Sequence, residues 1–216
     1  MSRFSIQDFS CPVCSVPFKA KVVEAVSHEG QDTDFFPHYI GEDPLPHFII
    51  QCTECNYCAY PDDFSIPFHK DTHPRQKQIK AILEQPLAKK LSVSAQRYYL
   101  AGKLYELKKR NSYFTGNLYL RGSWCCRQAA DRRGEIELQQ LAVKFLKDAV
   151  DHSKVSSPEN LPIVTYLVGE IYRRLEDRVA AREWFGNVEE LVIDQEQQWI
   201  IELAKKQAEL NEYYIN

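Results

Sequence analysis

The chain has 216 residues, with 27 Lys+Arg against 30 Asp+Glu and a net charge of -3. A charge this small excludes a histone-like or polybasic polymer binder. With 44% hydrophobic and 26% charged residues, the composition is that of a globular chain and excludes a disordered one.

The N-terminus, Met1-Ser2-Arg3-Phe4-Ser5-Ile6-Gln7-Asp8, leads into no apolar run, which predicts no secretory leader. The longest apolar stretches, near Phe48-Ile49-Ile50 and Tyr166-Leu167-Val168, fall far short of the roughly 20 residues that span a bilayer. Together these features predict a cytoplasmic protein.

Composition changes near residue 75. Residues 1–75 hold 5 Lys/Arg and 11 Asp/Glu, a net of -6, and eight of the eleven prolines. Residues 76–216 hold 22 and 19, a net of +3, with apolar residues recurring every three to four positions. The expected division is a β-rich module over 1–74 and a helical domain over 75–216. In the first part, Phe18–Val26 and His47–Cys52 read as strands, separated by a Pro- and Asp-rich loop from Asp32 to Pro44. A loop this long is usually functional or pinned by its own side chains.

The second part predicts six or seven helices. Arg75–Leu91 is interrupted at Pro86, which has no backbone N–H to donate. Ser94–Arg110 follows, with Ser94 as the expected N-cap. Then come Ser112–Asp131, Glu135–Ser153, Leu161–Glu176, Arg178–Leu191 and Gln195–Tyr214. Asn160 with Pro162, Asp177 and Asp194 are start signals for the last three. Leu161–Val192 matches tetratricopeptide spacing at Gly169, Tyr172, Ala181 and Phe185. Small residues at 169 and 181 let two antiparallel helices approach, and Tyr172 and Phe185 fill the gap to the next pair. Tyr98, Ala101, Gly102 and Tyr105 repeat the first half of that spacing, and Ala142, Leu146 and Ala149 the second. An ordinary helical bundle with small residues at its crossings is the alternative.

Five of the seven cysteines lie in the first 58 residues. Cys11-Pro12-Val13-Cys14 and Cys52-Thr53-Glu54-Cys55 are two C-x-x-C knuckles, each offering two thiolates from one turn. Two such pairs supply the four sulfurs a structural Zn²⁺ prefers. The 37-residue spacer is longer than the usual 15–20, and a two-strand insertion carrying the acidic loop accounts for the difference. The predicted ligands are Cys11, Cys14, Cys52 and Cys55. A site closed by four thiolates leaves no position for substrate, so the zinc is expected to be a staple for a module short of core. Cys58 either replaces Cys55 as a ligand or is a small buried hydrophobe, and the second reading is preferred. His69 and His73, four apart, have the spacing of metalloprotease helices, but no Glu follows His69, and a surface turn is the simpler reading.

Asp32, Asp34, His38, Glu42, Asp43 and His47 fall within sixteen residues. They suit either a second divalent metal or acid–base work. The alternative is that the carboxylates cap turns and pair with Lys or Arg while the aromatic residues cover the knuckles.

Cys-Pro-Val-Cys at 11–14, Asp32-Thr33-Asp34-Phe35, Tyr39, Pro44-Leu45 and the run Gln51-Cys52-Thr53-Glu54-Cys55-Asn56-Tyr57-Cys58-Ala59 occur in one order. In this the chain resembles the bacterial family catalogued as domain of unknown function 2225. The resemblance implies a zinc-ribbon-like knuckle pair with an Asp-x-Asp-Phe segment between, followed by tetratricopeptide-like helices. The chain departs from the expected pattern at Asn56-Tyr57-Cys58, where Gly-Tyr-Ala is expected. The family carries no established activity.

The predicted fold is therefore mainly α with a small β-rich metal module: a zinc-ribbon-like domain followed by tetratricopeptide-like antiparallel helical hairpins. The predicted function is a non-enzymatic adaptor or scaffold that binds a protein or peptide partner through its helical repeats, with structural Zn²⁺ as its cofactor. No catalytic residue is assigned, since the chain has no Gly-rich phosphate loop, no His-Glu-x-x-His and no Gly-x-Ser-x-Gly. One alternative is a metal-dependent or thiol enzyme at the Asp32–His47 loop or at Cys58. The other is a zinc-ribbon nucleic-acid binder, disfavoured by the net of -6 on residues 1–75, because affinity for the phosphate backbone needs cations. Lys108-Lys109-Arg110 and Arg132-Arg133 read more simply as solvated helix ends.

Overall fold

The computed structural model describes residues 1–65 and 72–213, with side chains for 1–65 and 75–210. His69 lies outside the described residues, and so does the side chain of His73. The molecule is mainly helical, with small antiparallel sheets near the N-terminus. Among the described residues no helix is long and apolar enough to cross a membrane. The chain forms two compact units. One comprises 1–32, 36–110 and 118–138, the other 33–35, 111–117 and 139–216.

The first unit opens with a hairpin of β1 (Arg3–Ser10) and β2 (Pro17–Ala25). A second hairpin joins β3 (His28–Gln31) and β4 (Pro37–Tyr39), and a short third pairs β5 (Ile50–Gln51) with β6 (Cys58–Ala59). Strand β2 meets the expectation for Phe18–Val26, whereas β1 was not foreseen. Of the expected His47–Cys52 strand only β5 forms. The first residue of that expected strand, His47, instead closes the 3-10 turn Leu45–His47, donating its N–H to the Pro44 carbonyl at 2.9 Å.

Helices α1 (Thr72–Leu83), α2 (Pro86–Lys90) and α3 (Val93–Leu107) follow. The cap of α3 is Ser92, whose Oγ accepts the Ala95 N–H at 3.4 Å. The expected cap, Ser94, sits inside the helix, because it is Ser92 that takes the extended backbone a cap needs. The compositional break near residue 75 falls within this unit, and α3 is bonded to chain on the other side of it. Tyr98 donates to the Leu45 carbonyl at 2.7 Å, and Arg97 donates to Gln51 Oε1 at 3.2 Å and the Pro46 carbonyl at 3.3 Å.

Helices α4 (Ser112–Gln128) and α5 (Arg132–Asp151) each contribute to both units. In the first unit Gly102 of α3 faces Tyr119 of α4, and a Cβ at 102 would lie 2.6 Å from the Tyr119 ring. That ring is fully buried and its hydroxyl donates to Glu106, so it has nowhere to retreat. Overpacking of this kind costs about 1–3 kcal/mol. Gly102→Ala is therefore expected to lower the melting temperature by roughly 2–12 °C; an unchanged thermal transition would show that the two helices can separate freely.

The second unit holds α6 (Leu161–Arg174), α7 (Arg178–Gly186), α8 (Val188–Leu191) and α9 (Gln198–Tyr213). Its core gathers Tyr166, Ala181, Phe185, Val188, Ile200, Ile201 and Ala204. Gly169 abuts Phe185 and the Ala181 carbonyl, where a Cβ would lie at 2.8 and 3.3 Å. The absence of a side chain at 169 thus lets α6 and α7 approach closely. The expected helix Arg178–Leu191 is divided at Asn187, and the expected Gln195–Tyr214 begins as a 3-10 turn. Asp177 caps α7 through Ala180 N–H at 3.1 Å and Asp194 accepts from Glu196 N–H at 3.0 Å. Asn160 makes no side-chain cap; its amide donates to Ser156 and Ser157.

Four helices end on the same device. Lys109, Ala130, Ser153 and Glu176 adopt left-handed backbone, at φ 51, 56, 50 and 65°. The next residue in each case, Arg110, Asp131, Lys154 or Asp177, donates its N–H to a carbonyl five residues back. This is the closure that usually recruits glycine. Here no glycine marks it, and all four expected helices, those drawn to Arg110, Asp131, Ser153 and Glu176, run past the true end.

Candidate metal centre and the acidic loop

The two C-x-x-C segments are hairpin loops built alike. In the first, Cys11 N–H donates to the Val16 carbonyl at 3.0 Å and Ser15 N–H to the Cys11 carbonyl at 2.8 Å. In the second, Cys52 N–H donates to the Tyr57 carbonyl at 2.9 Å and Asn56 N–H to the Cys52 carbonyl at 3.1 Å. Ser15 and Asn56 follow the second cysteine of each pair, and both are left-handed, at φ 62 and 60°. A glycine at 56 would suit that backbone, and asparagine is among the side chains that tolerate it best. The strand pairs close each loop at the same offset, Ser10 against Pro17 and Gln51 against Cys58.

These loops bring Cys11, Cys14, Cys52 and Cys55 together, their sulfurs all within 4.8 Å of one another. Cys11 Sγ lies 3.5 Å from Cys55 Sγ, and Cys14 Sγ 3.6 Å from Cys52 Sγ. A tetrahedron with Zn–S bonds of about 2.3 Å has edges of roughly 3.8 Å, so the donor set fits such an ion. The thiols differ in their proton affinity. The Cys55 thiol, hydrogen-bonded to Cys11, pulls the Cys11 pKa down to about 5. The same contact, with burial, drives Cys55 up, and burial raises Cys52. Four thiolates so placed can hold a metal ion.

Cys58 is not part of this group. It opens β6, fully buried, with its thiol 3.5 Å from the Asn56 carbonyl, and burial raises its pKa. It fills a position where the chain needs a small buried side chain. Behind the second knuckle stands a polar brace that the sequence did not announce. Tyr57 packs edge-on against Phe64 at 5.1 Å and accepts from Lys108 Nζ at 3.0 Å. Asp63 receives Arg110 Nη2 at 2.7 Å and the Tyr105 hydroxyl. Burial pulls Lys108 down to about 8.

The acidic loop is spent on pairing. Asp32 receives His38 Nε2 at 2.7 Å and Arg127 Nη1 at 2.9 Å, and Arg127 also reaches Glu135 at 2.8 Å. Asp43 accepts the Leu45 N–H and the Gln128 amide, both at 2.9 Å. Lys21 holds the exposed Glu42 carboxyl below its ordinary pKa. His47 lies 3.6 Å from Glu42 and edge-on to Phe4, and burial lowers its pKa.

Thr33, Asp34 and Phe35 belong to the second unit. Asp34 is fully buried, 3.3 Å from Arg174 Nη2. Thr33 donates its hydroxyl to Glu170, and its carbonyl accepts from Tyr166 at 2.9 Å. Glu170, also fully buried, is clasped by Arg173 and Arg174. Phe35, left-handed at φ 63°, packs on Tyr166 and Trp199. Among the described residues no other set of three or more His, Cys, Asp or Glu side chains converges as the four cysteines do.

The family model described as an uncharacterized protein conserved in bacteria matches residues 4–211. No curated protein and no solved structure matches the chain. The match takes in both knuckles, the Asp-x-Asp-Phe segment and nearly all of the helices, and the chain belongs to that bacterial family, domain of unknown function 2225.

Proposed function

We propose that the protein is a non-enzymatic adaptor, with residues 1–74 stapled by a structural Zn²⁺ on Cys11, Cys14, Cys52 and Cys55, and residues 75–216 binding a protein or peptide partner. The observation that carries this reading is the convergence of four sulfurs from two knuckles of the same build. Zn²⁺ supplies no reaction step here: with four protein thiolates around it, no position is left for water or substrate. Its contribution is folding energy. Thiolate ligands also fit a reducing cytoplasm, where we place the protein.

The close approach of Gly169 to Phe185 and Ala181 supports a tetratricopeptide-like hairpin at α6 and α7. The pairing of the acidic-loop carboxylates with Arg127, Arg174 and Lys21 favours binding over acid–base chemistry. Metal analysis of the purified protein is expected to find one zinc per chain; none, or two, would overturn the staple. Affinity capture from the native extract is expected to return one reproducible protein partner, and repeated failure would overturn the adaptor.

A further inference from the structure

The second unit already holds a short peptide segment in a specific seat, and that segment is its own chain. Thr33–Phe35 lies more than 120 residues from α6 in sequence, yet three kinds of contact fix it there. Tyr166 reads main chain through the Thr33 carbonyl at 2.9 Å. Arg174 reads side chains, reaching Asp34 Oδ1 at 3.3 Å and Thr33 Oγ1 at 3.1 Å. An apolar slot takes the ring: Phe35 lies 5.3 Å from Tyr166 and 6.3 Å from Trp199, against the cluster of Phe185, Ile200 and Ile201. Main-chain capture, one charge-matched anchor and one aromatic anchor are how a groove recognises a short linear motif. The segment spans only three residues and carries a left-handed phenylalanine, a conformation that costs of order 1–3 kcal/mol. Strain of this kind offsets part of what the contacts hold, and suits a seat that can be vacated.

Resting on the adaptor reading above, we propose that this seat on α6 and α9 is the partner site, occupied in cis by Thr33-Asp34-Phe35 and opened when a partner peptide with an Asp–aromatic pair displaces it. The chemistry demanded of the partner is a carboxylate for Arg174 followed at once by an aromatic ring for the Tyr166–Trp199 slot. A hydroxyl residue before the carboxylate would satisfy Glu170 as Thr33 does. A tethered segment competes at an effective concentration of the order of millimolar, so the free seat outranks the filled one.

The test uses the full-length protein and a labelled peptide copying residues 30–38. Asp34→Ala/Phe35→Ala, which empties the seat, is expected to bind the peptide at least about tenfold more tightly than wild type. Peptides with Ala in place of that Asp or that Phe are expected not to bind. Equal binding to both proteins, or none to a folded double variant or to Phe35→Ala, would overturn the proposal. So would a double variant that cannot fold, since a displaceable ligand leaves its receptor standing. The adaptor reading is judged separately: a partner captured from extract without competition by this peptide would retain the adaptor and reject this seat.

Discussion

Cys52→Ser is expected to release the metal and to lower the melting temperature by at least about 10 °C, or to prevent folding altogether. The apparent binding energy of a structural zinc is about 10–16 kcal/mol, comparable with the entire stability of a domain at about 5–15 kcal/mol. Even partial loss of the site therefore dominates, since each kcal/mol moves the melting temperature by roughly 2–4 °C at this size. The mutation also removes the sulfur 3.6 Å from Cys14 and breaks a loop whose backbone bonds run through residue 52. Cys58→Ala is the matched control: it removes a buried sulfur from the same hairpin but leaves the four donors intact. It is expected to retain one zinc per chain. Metal content and thermal unfolding of the two variants decide the matter. A Cys52→Ser protein that keeps its metal and melts with wild type would refute the assignment, and loss of zinc from Cys58→Ala would move a ligand to residue 58.

Glu170→Ala carries the second large effect. Its carboxylate is fully buried and accepts Arg173 Nε and Nη2 at 2.7 Å, Arg174 Nε at 2.9 Å and the Thr33 hydroxyl. Alanine leaves two largely covered guanidinium groups without the carboxylate that clasps them both, although Asp34 stays beside Arg174. Breaking a buried pair by deleting one partner costs about 3–5 kcal/mol, so a fall of roughly 6–20 °C is expected. Glu170→Gln keeps the volume and one acceptor and is expected to fall between. Thermal unfolding of the three proteins is the measurement; a Glu170→Ala melting point within about 2 °C of wild type would mean that water solvates the arginines and the network is ornamental.

What the chain announces in advance is its local chemistry. A C-x-x-C turn depends on residues within six positions, so both knuckles were readable from Cys11–Val16 and Cys52–Tyr57. The apolar spacing of α6 announced Gly169 as the place of close approach, because helix periodicity is itself local. Helix ends were less readable for a specific reason: Lys109, Ala130, Ser153 and Glu176 take the left-handed closing position that glycine usually marks. Cys58 was ambiguous as a letter and became plain once β6 placed it on the return strand, buried and outside the group of four sulfurs.

The acidic loop shows the limit most clearly. Asp32, Asp34 and Phe35 stand together in sequence with the composition of a reactive site. Their meaning lies in Arg127, Arg174 and Tyr166, 95 to 140 residues on. A carboxylate paired with a guanidinium and one poised for catalysis are the same residue until its neighbour is known, and neighbours that distant are chosen by packing. The cysteine knuckles and the helix spacing belong to the local code of this chain, whereas the use of its charged loop is set by contacts across the fold.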